Sequence, residues 1–165
     1  MKTIVVCSLA MVALLGAAAT ARAQETESRF ALDTSAGYAG FVDEAPIEHF
    51  AIGLGARWRL SPRVSVGPEA VFMKGPGSDR DLFVTGKVMV DFMPQRLASP
   101  YFIADGGMMF HADDFYRSAF WTREGAVSGG LGVRVNLTPR ISIAPEFRIG
   151  WEPHLRIGAV VTWHR

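Results

Sequence analysis

Hydrophobic and polar residues alternate along this chain with a period of two. In 48–60, Phe50, Ile52, Leu54, Ala56, Trp58 and Leu60 share one side, and Ala51, Gly53, Gly55, Arg57 and Arg59 share the other. Segment 154–164 repeats the arrangement, with Leu155, Ile157, Ala159, Val161 and Trp163 set against Arg156, Gly158, Val160, Thr162 and His164. A period of two with unlike faces is the mark of a β-strand. The same reading extends to eight segments, 29–41, 48–60, 64–74, 82–93, 100–111, 123–137, 141–151 and 154–164. Each is about the 9 to 11 residues, or slightly more, that a tilted strand needs to cross a bilayer. No stretch after the leader keeps helical spacing for long.

The connections differ in kind. Ser61-Pro62-Arg63, 94–99 and Thr138-Pro139-Arg140 are turns rich in Pro and Arg, whereas 42–47, 75–81 and 112–122 are mostly longer and acidic or aromatic. Short turns on one side and longer loops on the other are how bacterial membrane barrels are built. The connection at Glu152-Pro153 departs from this, being a tight turn where a loop is due. The hairpin of residues 53–69, GLGARWRLSPRVSVGPE, returns at 130–146 as GLGVRVNLTPRISIAPE. In both copies Pro fixes φ for the turn, and the Ser or Thr before it can bond the turn backbone. Pro68 and Pro145 occupy matching strand positions, where a missing ladder donor predicts a bulge that aims Glu69 and Glu146 inward.

The predicted fold is all-β, an eight-stranded antiparallel up-and-down transmembrane β-barrel. Alternation alone does not say which face is inside, because a soluble lipocalin-like barrel would bury the apolar side around an apolar ligand. The polar face is dominated by Gly, Ala and Ser with isolated charges. A narrow lumen explains so many strand-weakening glycines better than a solvated surface does. That phase puts Arg57, Arg59, Lys87, Arg134, Arg148 and Arg156 in the lumen with Asp33, Glu69, Asp91, Asp105 and Glu146. The opposite phase would turn six cations to lipid at roughly 2 to 4 kcal/mol each at the midplane. The outward face then carries two aromatic belts, Phe30, Trp58, Phe92, Phe102 and Trp163 near one end, and Tyr38, Phe50, Phe72, Phe110 and Trp151 near the other. Aromatic rings favour the headgroup level.

At the amino end Lys2 precedes an apolar run from Ile4 to Ala19, closed by Ala21-Arg22-Ala23. This predicts a signal peptide over 1–23, cleaved to leave a barrel domain over 24–165. Cys7 is the single cysteine and leaves with the leader, so disulfides and thiolate metal sites are excluded from the mature chain. With 17 Lys and Arg against 16 Asp and Glu there is no nucleic-acid footprint.

On these grounds the chain resembles the small bacterial outer-membrane β-barrel family that includes the OmpA transmembrane domain and OmpX-like proteins. The resemblance covers all of 24–165 and rests on leader, strand count, alternation and loop asymmetry. It implies a monomer in the outer membrane, with membrane lipid and lipopolysaccharide as neighbours. Family members commonly end on an aromatic residue read by the barrel assembly machinery; here Trp163 has the required alternation, but His164 and Arg165 follow it.

In so narrow a barrel the charges are expected to form a paired plug, with a gated narrow pore as the alternative. For surface binding the candidate is the loop with His111, Asp113, Asp114, Phe115, Tyr116, Phe120 and Trp121. Its rings suit lipid or a partner. Its imidazole and carboxylates are adjacent rather than set to converge on one ion, so no metal or other cofactor is assigned. Some similar barrels modify lipid A with a His, a Ser and an acid. His111, Ser118 and either Asp113 or Asp114 would be the nominees here, but the His-any-Ser spacing of the deacylases is absent. The expectation is therefore a structural or surface-interaction protein and not an enzyme.

Overall fold

The computed structural model describes residues 29–41, 47–94, 96–113, 120–151 and 154–164, without the side chains of Ile47, Phe120 and Trp121. The expected leader lies outside these residues, as do Asp114, Phe115, Tyr116, Ser118, Glu152, Pro153 and Arg165. Eight strands follow one another, β1 (Phe30–Phe41), β2 (Ile47–Arg59), β3 (Val64–Lys74), β4 (Arg80–Asp91), β5 (Ala98–Asp113), β6 (Phe120–Asn136), β7 (Ile141–Gly150) and β8 (His154–His164). Each pairs antiparallel with its neighbours in sequence, and β1 pairs with β8, so the sheet closes into a barrel. Closure leaves no free lateral edge along the common length of the strands.

Both ends of the described chain, Arg29 and His164, lie at the end of the barrel that carries the short turns. We call this the turn end, and the opposite one the loop end. The two Pro-Arg turns are built alike. Ser61 Oγ accepts from the backbone N–H of Arg63 and Val64 at 3.3 and 3.1 Å. Thr138 Oγ1 accepts from Arg140 and Ile141 at 3.2 and 3.0 Å. At the loop end, Gly77 takes a φ of 62°, a left-handed conformation that suits glycine, between β3 and β4.

Two expectations about the strands are corrected. The loop drawn over 112–122 is shorter, because β5 and β6 continue to pair as far as Asp113 with Phe120. Two-residue alternation persists through His111–Asp113, and Phe120, Trp121 and Thr122 are strand-favouring residues that extend the hairpin. β4 accompanies β5 almost to its end, up to Arg80 with Ala112, but on the other side the ribbon stands above its neighbour β7. The pairing of β6 with β7 begins only at Ser128 with Gly150, eight positions below Phe120. The loop-end rim is thus stepped, tall at β5–β6 and low at β7–β8.

The second correction concerns the prolines. A bulge would insert a residue and shift the register. Instead β3 pairs with β4 without a break through Pro68 and Gly86. Towards β2 the ladder lapses opposite Gly67 and Pro68 and resumes at Val66 with Trp58 in the same register as Gly55 with Glu69. Around Pro145 the behaviour is the same, continuous with β8 and interrupted towards β6. Each proline brings no N–H to one side, and the chain accepts that local loss while keeping its phase. Glu69 and Glu146 face inward by alternation alone.

The faces are as unlike in space as in sequence. Leu54, Val127, Leu131, Ile149 and Ile157 are more than half exposed on the outside, and large apolar residues surround the barrel. Tyr38 packs edge-on against Phe50 at the loop end, with ring centroids 6.0 Å apart, and Phe30 leans on Trp58 at the turn end at 5.6 Å. The lipocalin-like arrangement requires the reverse, with this apolar set lining a cavity. The lumen instead holds the buried Asp, Glu, Arg and Lys residues.

Candidate functional site: the lumen and its loop-end mouth

Four cations, Arg57, Lys87, Arg148 and Arg156, and four anions, Asp33, Glu69, Asp105 and Glu146, meet in the middle of the lumen. Arg57 grips Asp33 with two bonds, Nε to Oδ2 at 2.8 Å and Nη2 to Oδ1 at 3.0 Å. Thr162 joins them by donating to Asp33 at 2.8 Å and accepting from Arg57 at 3.0 Å. Lys87 bridges Asp33 and Glu69 at 2.8 and 3.1 Å. Arg148 is the hub. It donates to Glu69 through both terminal nitrogens at 2.6 and 3.1 Å, to Asp105 at 2.7 Å and, through Nε, to Glu146 at 2.7 Å. Tyr101 completes Glu146 with a hydroxyl bond of 2.7 Å, Ser128 donates to Asp105, and Arg156 reaches Glu69 at 3.5 Å.

Except for Glu146 and Arg148, both on β7, these ion pairs join different strands, and Lys87 with Asp33 and Arg148 with Glu69 link strands that share no ladder, so the network ties the barrel across as well as around. The repeat explains why there is room. In its first copy Gly55 leaves space for the Lys87 ammonium, 2.8 Å from where a Cβ would sit. In the second, a Cβ on Gly132 would run into the Tyr101 ring. The glycines of GLG are the sockets into which the long polar side chains fit.

Three expected members, Arg134, Asp91 and Arg59, stand apart. Arg134 binds Asp91 at 2.6 Å, and Ser99 adds a bond to Asp91 at 3.3 Å, nearer the turn end. Arg59 lines the turn-end mouth with Arg29, Arg63, Arg134 and His164. Sequence reasoning also missed two apolar layers. Ala39, Ala51, Val71, Met73, Phe83, Met109 and Ala126 fill the loop-end half of the lumen. Met89, Tyr101, Ile103 and Ala144 pack on the turn-end side of Asp105 and Glu146 along β5 and β7. Their signal was present in the inward phase of β3 and β4, where Val71, Met73, Phe83 and Met89 replace the small residues seen elsewhere.

At the loop-end mouth the structure rearranges the expected surface site. His111 faces Asp81, Nδ1 to Oδ1 at 2.7 Å, and Asp113 instead accepts a bond from Ser78 at 2.7 Å. The pairing of His111 with Asp113, one of the two on which the lipid A-modifying reading depended, is therefore replaced by one with Asp81; Asp114 and Ser118 lie outside the described residues. The reason is register: Asp81 stands opposite His111 on the adjacent strand, whereas Asp113 lies two residues further along β5. His49, from β2, enters the same place, with Nε2 at 2.9 Å from Asp79 and 3.3 Å from Asp81. Phe41 covers the His49 ring at 4.8 Å, and Phe41 and Phe83 both pack on His154.

With this geometry in view, comparison with solved structures is informative. The barrel matches Neisserial surface protein A, NspA, with a TM-score of 0.75 at 15% identity, covering 84% of this chain and 98% of that one. It shares this fold. The N-terminal β-barrel domain of Pseudomonas aeruginosa OprF matches with a TM-score of 0.62 at 10% identity, over 84% of this chain and all of that domain. Ail, the attachment invasion locus protein of Yersinia pestis, solved with the heparin analogue sucrose octasulfate, matches at 0.51 and 13% identity, over 85% of this chain and 100% of that one. All three are bacterial outer-membrane barrels. No protein-family profile and no curated protein sequence matches the chain.

Proposed function

We propose that this protein is a monomeric integral protein of a bacterial outer membrane, delivered there by its cleaved leader. Its role is structural or surface-interacting, and it has no catalytic centre. The observation that carries this reading is the inversion of its faces. Apolar side chains ring the outside between two levels of aromatics, and the charges are paired within. A band of this kind is stable against lipid and a liability in water. The fold shared with NspA, the OprF domain and Ail supports the same location. In that setting its partners are membrane lipid and lipopolysaccharide, with the barrel assembly machinery during insertion.

The luminal network acts as a plug rather than a path. Each cation is held by carboxylates from other strands, and an apolar layer with Met73, Phe83 and Met109 lies across the loop-end side. Opening a water thread would separate desolvated charges and wet that layer together.

The test is the membrane fraction run boiled and unboiled on a gel after detergent extraction, together with planar-bilayer recording of the purified barrel. Extraction only by detergent, a mobility shift on boiling and no steady conductance are expected. Recovery in the soluble fraction with no shift would overturn the location, and regular single-channel steps would overturn the plug.

A further inference from the structure

The loop-end mouth brings together two imidazoles and two carboxylates from three strands and one loop. His49 comes from β2, Asp79 from the connection between β3 and β4, Asp81 from β4 and His111 from β5. His49 and Asp81 are almost fully buried, each 2% exposed, which is unusual for side chains at an open rim. We propose that these four side chains form a binding site for a divalent transition-metal ion of the zinc type, which clips the mouth of the barrel.

Three observations carry the assignment. The first is spacing. Donor atoms of His49, Asp79 and Asp81 can all lie within 4.8 Å of one another. The nitrogen-to-oxygen separations are 2.9 and 3.3 Å around His49 and 2.7 and 3.7 Å around His111. Ligands held at about 2.0 to 2.1 Å around a tetrahedral ion stand about 3.3 Å apart, close to these separations, so His49, Asp79 and Asp81 form a set of three spaced for one ion, and His111, which faces the same two carboxylates, closes in as the fourth ligand. The second is the donor set. Two imidazoles with two carboxylates suit zinc and its neighbours, whereas calcium and magnesium take oxygen cages.

The third is that the place is built. A Cβ on Gly75 would collide with the Asp79 carboxylate and sit 2.6 Å from His49 Nε2, so glycine there keeps the space open. Lys74 fastens the loop by donating to the carbonyls of Gly75, Gly77 and Asp79, which fixes where Asp79 stands. Asp79 Oδ1 is buried with no hydrogen bond among the described residues, a lone acceptor directed at the cluster. Phe41 backs His49 from the lumen side, which limits the water that would compete for the ion. The site differs from the lumen network in chemistry as well as place, since its carboxylates face imidazoles and the nearby Lys74 ammonium is spent on loop carbonyls.

The chemistry implied is binding and cross-linking. An ion held here would join β2, β4, β5 and the intervening loop, and it would do so whether or not the barrel resides in a membrane. The experiment uses the purified, detergent-folded full barrel, stripped with a chelator and titrated with zinc by calorimetry. A cobalt(II) titration read by visible absorption reports the geometry. One zinc per chain, intense tetrahedral cobalt bands, and a zinc affinity lowered at least tenfold in both His49→Gln and His111→Ala are expected. Asp113→Asn, outside the cluster, should bind as the parent does. Heat-modifiability of each variant shows that it has folded. His111 is partly exposed, so His111→Ala serves as the variant most tolerant of substitution. No saturable zinc binding by the folded parent, or binding unchanged in folded His111→Ala and His49→Gln, would overturn the site.

Discussion

Arg148 and Glu69 meet across the barrel, with Nη1 2.6 Å from Oε2 and Nη2 3.1 Å from Oε1. One belongs to β7 and the other to β3, strands that share no ladder, so this pair spans the lumen. Arg148 also carries Asp105 and Glu146, and its removal would leave Asp105 and Glu146 with only neutral hydroxyl donors and Glu69 with Lys87 and the more distant Arg156. Arg148→Ala should therefore destabilise the folded barrel by about 3 to 5 kcal/mol, the range for breaking one partner of a buried ionic group. Urea unfolding in detergent or lipid would measure it. A double variant, Arg148→Leu with Glu69→Gln, should be less damaged than the sum of the two single changes, because one uncompensated charge disappears with its partner.

Arg134 offers a graded comparison. It holds a single carboxylate, Asp91, which keeps its bond from Ser99 when the guanidinium is gone. Arg134→Ala should lower the unfolding midpoint, but by less than Arg148→Ala. Equal losses in the two variants would mean that connectivity within the network adds nothing to pairing, and an unchanged midpoint for Arg134→Ala would deny the pair any role.

The socket at Gly132 can be filled directly. Adding methyl groups there pushes on the Tyr101 ring, which must give up its 2.7 Å bond to Glu146 to move. Gly132→Val should cost about 1 to 3 kcal/mol as overpacking, in spite of the better strand propensity of valine. Pairing it with Tyr101→Ala should recover part of the loss. A stabilised Gly132→Val barrel would show that the glycine is not there to make room.

The outer face has its own test. Leu54 is 67% exposed and lies between the two aromatic levels on β2. In lipid, Leu54→Arg should destabilise by about 2 to 4 kcal/mol. For a protein surrounded by water the same change is neutral or helpful to solubility. Unfolding from liposomes distinguishes the two, and no loss there would argue against a lipid-facing Leu54.

What could be read from the chain followed from a single physical rule. In a strand, alternate side chains point to opposite faces, so Arg57 and Arg59 share a side with Gly53 and Gly55 whatever the rest of the fold does. Strand number follows from repeating that argument, and the inward phase from adding the small residues on the charged face and the cost of cations in lipid. Partnerships across the lumen do not, because alternation says nothing about which of several carboxylates an Arg148 guanidinium will reach. The mouth cluster escaped for a related reason. His49, Asp79 and His111 are far apart in sequence, and only register between β4 and β5 sets Asp81 opposite His111. Nearness in sequence drew attention to Asp113, but two residues along a strand set it further up β5, beside Ser78, while Asp81 stands directly opposite His111. The proline bulge failed because loss of one donor was taken to require an inserted residue, and the sheet accommodates the loss without one.

The stepped rim gives the molecule a bearing. Eight residues of β6 rise above the last pair with β7, on the order of 25 Å at the rise of an extended strand. Among the described residues the loop end therefore has no rotational symmetry about the barrel axis, and the part of β6 above Ser128 is held by β5 alone. Its amide protons should exchange faster with solvent than those of the same strand below Ser128, where both neighbours share the ladder.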